Sequence, residues 1–420
     1  MYRLIAIAVA LLSILPLWAT AQTQEQTTTS QGDTIRYTYT PLAHTSAPAE
    51  GASSVVKADS VAPKRSKFAQ RFIDFATKSA MDRTFEKKMD FSLVAGPTYS
   101  SKTHLSLGVI AAGAYRVNRR DSLTSPSNVT LFATVSVIGY YYFGLAGNTF
   151  FERNRHRLDY DIGFKSMPTD FWGFGYHAAS TNKKSSYVGK KAFADIRYLY
   201  QIFRNTNIGA TLNFNYTKAK RVKRPEYFGS QRHEYLGLGL GAIVEYDSRD
   251  VITNPTRGVY VGANAIIQPK AFGDCGHTLW KVRATVDFYQ RLWRDAVLAI
   301  DLHGEFNSRH TPWTMYALLG SNYRMRGYYE GRFSDLNMIT FQAELRQRVW
   351  RRLGVVVWGG AGNVFHSFDT FAWRQTLPNY GLGVRWELKR GMNIRIDYGF
   401  GGVVNKRLIN GLVISINEAF

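Results

Sequence analysis

Histidine and cysteine are the residue types best suited to acid–base, nucleophilic or metal chemistry, and in this sequence they are scattered. His303, His310 and His366 lie in separate stretches, and the single cysteine, Cys275, lies in a Phe-Gly-Asp-Cys-Gly run that is typical of a turn. A catalytic nucleophile needs a base and an orienting group nearby, yet the sequence contains no Gly-x-Ser-x-Gly nucleophile elbow. The residues predict neither an enzyme nor a cofactor or metal site.

A group of charged residues surrounds one predicted turn. The run Tyr-Asp-Ser-Arg-Asp contains Asp247, Arg249 and Asp250, and it is followed by Asn-Pro-Thr-Arg-Gly, which contains Pro255 and Gly258. The charged side chains either form a cluster at the ends of the flanking strands or only cap and solvate the turn, as turn acids commonly do. The sequence leaves both interpretations open.

The elements that position these residues are predicted to be β-strands, because hydrophobicity alternates with a period of two from Lys88 onward. In one strand, Ile339, Phe341, Ala343 and Leu345 alternate with Gln342, Glu344, Arg346 and Arg348. Such alternation gives one face to lipid and the other to a polar interior. The sequence therefore predicts an all-β fold, a transmembrane antiparallel β-barrel of about sixteen strands.

The predicted strands begin near residues 89, 104, 128, 140, 155, 187, 206, 234, 258, 277, 295, 335, 353, 376, 391 and 409. An even number of strands returns the last strand to the end where the first begins. Phe420 is thus expected beside the first strand, with Ile414 and Ile416 along a closing seam and Glu418 on the lipid side. Closure is expected because an open edge in hydrocarbon leaves backbone groups without hydrogen-bond partners.

Composition also favours a membrane barrel. Aromatic residues make up 14% of the chain, and barrels use aromatics as belts at both membrane interfaces. The net charge of +22 would ordinarily raise nucleic acid as a partner. Because the charges alternate with apolar residues along strands, a basic lumen or basic loops near lipid phosphates explain them better, and no nucleic-acid partner is predicted.

The N-terminal quarter of the chain is different. Residues 1–21 carry a basic residue, an apolar run and Ala-Thr-Ala, as a cleavable signal peptide does. Residues 22–62 are polar and predict a flexible, disordered periplasmic tail. Residues 63–88 predict a short amphipathic helix and linker, which lies either on the membrane rim or inside the lumen as a plug. Residues 89–420 form the predicted barrel.

One C-terminal stretch reads LLGSNYRMRGYYEGRFSDLNMITFQAELRQRVWRRLGVVVWGGAGNVF. It contains a Gly-Ser-(x)4-Arg-Gly-Tyr run, then an acidic strand, then a Gly-rich strand. With an opening hairpin over residues 91–116 and the charged turn described above, this order resembles the barrel of the bacterial surface-antigen superfamily, to which BamA, TamA and the two-partner secretion transporters belong. The resemblance implies that the charged turn is periplasmic and that the barrel lies in the outer membrane of a Gram-negative bacterium.

The same resemblance implies roles for individual residues. Arg326, Gly327 and Tyr328 match the family's loop tip, which folds back into the lumen, where its arginine pairs with acidic groups on the next strands. Glu344 matches the first acidic position, so an Arg326–Glu344 pair is expected, with Tyr328 packed nearby. A buried guanidinium needs such a partner. Gly360 occupies the family's second acidic position, which removes one expected anchor for the loop.

Two functions follow as expectations. The first is assembly or translocation of outer-membrane proteins or lipids through a lateral seam, in a branch of the family that lacks POTRA domains. The second is passive passage of small solutes through the lumen, where Gly237, Gly239 and Gly241 would leave space. Expected partners are outer-membrane lipid and lipopolysaccharide, together with periplasmic or lipoprotein partners.

Overall fold

The computed structural model describes residues 89–100, 104–118, 120–121, 123–389, 392–404, 407–416 and 418–420. The predicted signal peptide, tail and amphipathic helix (residues 1–88) lie outside the described residues. No helix among the described residues is long and apolar enough to cross a membrane.

The described part of the chain is dominated by antiparallel β-strands, as predicted. They are β1 (Asp90–Ser100), β2 (His104–Tyr115), β3 (Ser127–Ser136), β4 (Tyr141–Phe151), β5 (His156–Phe171), β6 (Ser185–Phe203), β7 (Thr206–Lys220), β8 (Glu234–Asp247), β9 (Gly258–Gln268), β10 (Leu279–Trp293), β11 (Ala296–Asn307), β12 (Ala317–Leu319), β13 (Phe333–Asp335), β14 (Asn337–Trp350), β15 (Leu353–Phe365), β16 (Leu377–Lys389), β17 (Met392–Val404) and β18 (Arg407–Ile416). One α-helix, α1 (Gly175–Thr181), follows β5. Single-turn 3₁₀ helices occupy Glu152–Asn154, Pro225–Phe228, Lys270–Phe272, Trp313–Met315, Phe368–Thr370 and Trp373–Gln375.

Sixteen of the strands form one sheet in chain order, from β1 to β11 and from β14 to β18. The short strands β12 and β13 pair only with each other, as a separate hairpin that the sequence analysis did not predict. Short turns such as 204–205, 294–295 and 351–352 lie at one end of the sheet, which we call the turn end. Several longer connections, among them residues 172–184, 221–233 and 308–336, lie at the opposite end, which we call the loop end.

The two faces of the sheet differ as the alternation predicted. In β14, Phe341 is 46% exposed, whereas the neighbouring Gln342 and Glu344 are 0% exposed. In β10, Trp280 and Phe288 are likewise exposed on the outer face. The outer face therefore carries the apolar residues that suit lipid, and the inner face carries polar and charged residues.

The long connection between β11 and β14, residues 308–336, lies against the inner face of the sheet. Its Tyr329 hydroxyl accepts a hydrogen bond from the backbone N–H of Asp170 in β5 at 3.1 Å. Its Tyr328 hydroxyl donates to the carbonyl of Pro378 in β16 at 2.7 Å. Since β5 and β16 are far apart in the strand order, the sheet must curve around this connection, which we call the infolded loop.

The inward glycines of β8 lie against side chains of the neighbouring strand β9. A Cβ atom at Gly237 would collide with the side chain of Gln268, and one at Gly239 would lie 2.6 Å from Ile266. These glycines make room for side chains of β9. The space that they create is therefore already filled.

Candidate functional site: a ring of buried ion pairs

The tip of the infolded loop is set by two glycines in close contact. Gly327 has a φ of 101°, a conformation that favours glycine, and a Cβ atom there would lie 2.5 Å from the carbonyl oxygen of Gly399 in β17. A Cβ at Gly399 would in turn collide with the backbone of Arg326. Only glycine at both positions lets the loop backbone reach the wall, and this places the Arg326 side chain among the inward residues of β14 to β17.

Arg326 is fully buried and is held by two carboxylates. Its Nη2 forms an ion pair with Oε1 of Glu344, the residue that the sequence analysis paired with it. Its Nη1 lies 2.6 Å from Oδ2 of Asp397 in β17. The guanidinium centre also lies 3.7 Å from the ring centroid of Trp358 in β15, close enough for a cation–π interaction.

These contacts belong to a closed ring of charges of alternating sign, which we call the ion-pair ring. Its members are Arg326, Glu344, Arg346, Glu418, Arg385 and Asp397. All six side chains are at most 8% exposed. Because these side chains are shielded from water, each charge is stabilised by its neighbours, and an unpaired charge there would be strongly unfavourable.

The remaining contacts of the ion-pair ring run through Glu418, which lies just beyond β18. Arg346 Nε lies 3.0 Å from Glu344 Oε2 and 3.7 Å from Glu418 Oε2. Arg385 Nε lies 2.7 Å from Glu418 Oε2, and Arg385 Nη1 lies 2.5 Å from Asp397 Oδ1. The ring therefore connects the loop tip directly to the segment that follows the last strand.

A fourth arginine extends the ion-pair ring. Arg395 is fully buried, with Nη1 3.7 Å from Asp397 Oδ2 and Nη2 donating to the carbonyl of Asn322 at 2.8 Å. The carbonyl of Arg326 accepts a hydrogen bond from Asn379, whose Oδ1 accepts one from Trp358 Nε1 at 3.0 Å. The backbone and the side chain of Arg326 are thus both held in place, and Trp358 contributes to both.

A second, forked ion pair holds the loop next to its tip. Arg324 Nε donates to both carboxylate oxygens of Asp301 in β11, at 2.8 and 2.9 Å, and Arg324 Nη2 lies 2.6 Å from Oδ2. Gln342 adds a hydrogen bond to the same carboxylate at 3.3 Å. The loop is consequently attached to β11 as well as to β14 and β17.

Tyr328 anchors the other side of the tip. Besides donating to Pro378, its hydroxyl accepts a hydrogen bond from the N–H of Gly402 at 2.6 Å. Its ring lies edge-on to Phe333, with centroids 5.9 Å apart. Tyr328 therefore fastens the loop to β16 and β17.

The charged turn between β8 and β9 combines the two roles that the sequence left open. Arg249 and Asp247 form a forked pair, at 2.9 Å from Nε and 2.7 Å from Nη2. Burial alone would lower the pKa of Arg249, but hydrogen bonding to Asp247 and its negative charge outweigh burial and raise it. Asp250 instead caps the turn, accepting from the N–H of Thr256 at 2.8 Å.

The last residues of that turn are positioned by backbone requirements. Pro255 is buried, and Gly258 has a φ of 110° with the backbone of Ser248 directly against it. The turn also contacts the end of the chain, because the carbonyl of Thr253 accepts a hydrogen bond from the N–H of Glu418 at 3.2 Å. The turn and the ion-pair ring are therefore joined at the turn end.

Comparison with known proteins identifies the family. The model of the Omp85 superfamily domain matches residues 141–420. The chain belongs to the Omp85 superfamily. The resemblance to BamA and TamA that the sequence indicated is thereby confirmed, and membership in this superfamily implies an outer-membrane barrel of the kind used in protein translocation or assembly.

Solved structures with a similar fold include the barrels of other Omp85 proteins. BamA from Haemophilus ducreyi lacking POTRA domains 1–3 is 12% identical, with a TM-score of 0.55 over 78% of this chain and 70% of that one. CdiB from Acinetobacter baumannii is also 12% identical, with a TM-score of 0.50 over 79% of this chain and 60% of that one. CdiB from Escherichia coli is 12% identical, with a TM-score of 0.51 and coverages of 78% and 61%. No curated protein sequence matches this chain.

The end of this Omp85 chain differs from the sequence expectation. No pairing joins β1 with β18 among the residues described. Phe420 contacts inward-facing residues of β10 and β14. Its carbonyl accepts a hydrogen bond from Arg346 Nη2 at 2.9 Å, and its ring lies 6.5 Å from that of Tyr289. Glu418 is buried on the ion-pair ring, which corrects its expected lipid-facing position, because a carboxylate is stabilised by arginines and not by hydrocarbon.

The two isoleucines expected at the seam are in the last strand. Ile414 is 43% exposed and pairs in register with Ile396. Ile416 pairs with Ile394 at the end of β18, and its side chain lies outside the described residues. Both residues pair with β17.

Sequence reasoning missed Asp397, which takes the place of the acidic position lost at Gly360. A Cβ atom at Gly360 would lie 2.9 Å from Gln342, so this position has no room for a carboxylate. Strand alternation carried a usable signal, because Asp397 and Arg385 lie on inward positions of their strands.

The three histidines that the sequence singled out, His303, His310 and His366, contact different partners, namely Thr285, His277 and Asp335. No group of three metal-ligating side chains occurs within the described residues.

Proposed function

We propose that this Omp85 protein helps to insert or translocate outer-membrane proteins or lipids through a lateral seam between β1 and β18. The observation that carries the proposal is the ion-pair ring, which connects the tip of the infolded loop to Glu418, immediately beyond β18. Movement of the end of β18 would pull Glu418 away from Arg385 and Arg346. Seam and loop would therefore move together.

The energetics of the seam support the proposal. Strands that pair along their whole length are held by many backbone hydrogen bonds, and a seam with few of them opens at lower cost. Within the part of the chain that the structure describes, β18 pairs only with β17. The segment after β18 turns inward to the ion-pair ring, which leaves fewer residues to extend the seam.

The infolded loop argues against free passage of solutes through the lumen. It contributes buried residues to two apolar clusters inside the barrel, including Met325, Phe333 and Trp313. Because these residues are buried, the loop should stay inside the lumen unless the ion-pair ring is disturbed. We therefore place the substrate path at the wall of the barrel and not along its axis.

The proposal includes a location and partners. The turn end, with the charged turn at Asp247, Arg249 and Asp250, faces the periplasm, and residues 1–21 are a signal peptide removed during export. Outer-membrane lipid and lipopolysaccharide surround the barrel. A periplasmic or lipoprotein partner supplies the client.

A cysteine lock tests the seam. In a Cys275→Ser background, Ile414→Cys is combined in turn with Phe91→Cys or Leu93→Cys, outward-facing residues of β1 that are both 59% exposed. Each variant is expressed in cells depleted of the native protein, and the outer-membrane proteins and lipids are then compared. We expect the oxidised lock to abolish rescue and a reductant to restore it.

The matched control locks two strands that are already paired. Leu93→Cys with Ala111→Cys joins directly opposite residues of β1 and β2, and it should leave rescue intact. Full rescue by the oxidised seam lock would overturn the proposal. Steady single-channel conductance of the purified native protein in planar bilayers would favour passive transport instead.

A further inference from the structure

The connection between β15 and β16 at the loop end, residues 366–376, folds over the outer wall of the barrel. Asn363 lies on an outward position of β15, paired with Ile339 of β14, yet it is only 3% exposed. Its side-chain amide donates to the carbonyl of Ala372 at 3.0 Å and to Thr376 Oγ1 at 3.1 Å. These contacts hold the connection, which we call the flap, against the face that looks toward lipid.

Aromatic rings attach the flap to the same face. Phe306 of β11 and Phe365 of β15 lie on outward positions, on either side of β14. The ring of Phe368 packs on both, with centroids 5.7 Å from Phe306 and 5.3 Å from Phe365. Phe371 packs edge-on against Phe365 at 5.2 Å and against Trp373 at 5.1 Å.

The free surface of the flap is aromatic as well. Trp373 is 81% exposed and Phe368 is 67% exposed, although each contacts another aromatic ring. Two large rings held in water beside a hydrocarbon-facing wall would be unfavourable. At the headgroup boundary of a bilayer the same rings are stabilised, because aromatic side chains partition to that boundary.

The turn end of the barrel supplies a comparison. There the outer wall ends in Phe203, Trp293 and Trp350, which are 71%, 55% and 62% exposed and belong to the strands themselves. Membrane barrels carry such aromatic girdles at both interfaces. Above β14 and β15 at the loop end, the strand positions are covered, and the flap presents Phe368 and Trp373 in their place.

We propose that the flap is a lipid-binding surface whose exposed aromatic rings, Trp373 and Phe368, lie in the headgroup boundary of the bilayer at the loop end. The occupant is membrane lipid, because the flap continues the lipid-facing wall and accepts hydrogen bonds from the side-chain NH₂ group of Asn363, which would otherwise face hydrocarbon. The inference goes beyond the proposed function and does not depend on opening of the seam.

An environment-sensitive fluorophore tests the flap. In a Cys275→Ser background, Trp373→Cys is labelled with a nitrobenzoxadiazole dye and reconstituted into phosphatidylcholine vesicles that contain lipids with a nitroxide near the headgroup. We expect blue-shifted emission that the nitroxide lipid quenches and that iodide in the water does not. The matched control is Lys183→Cys, an exposed position that follows α1 at the same end, where iodide should quench.

Loss of the Trp373 ring could itself release the flap. Phe368→Cys is therefore labelled in parallel with Trp373 intact, and far-UV circular dichroism checks that every labelled protein retains its β-structure. Lipid quenching at either position supports the proposal. Water-like emission with iodide quenching at both positions would overturn it.

Discussion

Replacing Asp397 by asparagine should lower the free energy of unfolding more than removing any one exposed charge does. The carboxylate of Asp397 is fully buried and is shared by Arg326 at 2.6 Å, Arg385 at 2.5 Å and Arg395 at 3.7 Å. Asparagine keeps the size of the side chain but offers one acceptor oxygen instead of two. Its amide NH₂ group would face one of the guanidinium groups, donor against donor.

The expected magnitude follows from the charges that remain. Removing one partner of a buried ion pair costs about 3–5 kcal/mol, and the acceptor oxygen that asparagine retains returns about 1 kcal/mol. We therefore expect a loss of about 2–4 kcal/mol in the free energy of unfolding. In the native protein Arg326, Arg346, Arg385 and Arg395 share three acids; in Asp397→Asn they share two.

A double mutant separates charge balance from packing. Adding Arg395→Gln to Asp397→Asn restores the native difference between buried cations and anions, so the double mutant should be more stable than the sum of the single changes by about 0.5–3 kcal/mol. Urea unfolding in detergent micelles, followed by circular dichroism, measures each free energy. The reasoning fails if Asp397→Asn changes stability by less than about 0.5 kcal/mol, the range of surface substitutions, or if the two changes are strictly additive.

Three further changes probe the loop tip. Gly327→Ala should destabilise loop docking by about 1–3 kcal/mol and make the loop sensitive to protease in micelles, whereas Gly331→Ala, which has a similar φ but no atom within 3.5 Å of the new Cβ, should do so less. Tyr328→Phe should cost about 1–3 kcal/mol in urea unfolding because the N–H of Gly402 loses its acceptor. Arg326→Lys should lower the free energy of urea unfolding, since a lysine cannot hold two carboxylates with a planar fork. An unchanged free energy of unfolding would argue against the paired contacts of Arg326 with Glu344 and Asp397.

Strand alternation made most of the fold predictable. In β14 the contrast between Phe341 and Gln342 is visible in the sequence alone, and the resulting pattern places nearly all strands of the large sheet close to where they lie. The hairpin of β12 and β13 was missed because it lies within the infolded loop and consists of three-residue strands, Ala317–Leu319 and Phe333–Asp335. Strands that short carry too few residues for a period to show.

The site was predictable only in part. The resemblance to a family indicated Arg326 and Glu344, whereas Asp397 comes from a different strand than the family pattern suggested. Hydrophobic alternation predicts the face of the sheet on which a residue lies. It does not predict which residues of distant strands contact each other in the lumen. Glu418 shows the limit most clearly, since its position depends on where the chain turns after β18 and not on the period of the strand.

The ion-pair ring is better suited to specifying one arrangement than to adding stability. A buried ion pair rarely stabilises a protein more than apolar side chains of the same size would. Displacing one partner of such a pair is nevertheless costly, because the other charge stays buried. Arg326 belongs to the infolded loop, Glu344 to the wall and Glu418 to the segment after the last strand. A displacement of any one of the three takes away one of the two ion-pair partners of each of its neighbours in the ring. A closed ring that spans all three segments therefore couples the docked loop to the inward chain end, as the proposed lateral seam requires.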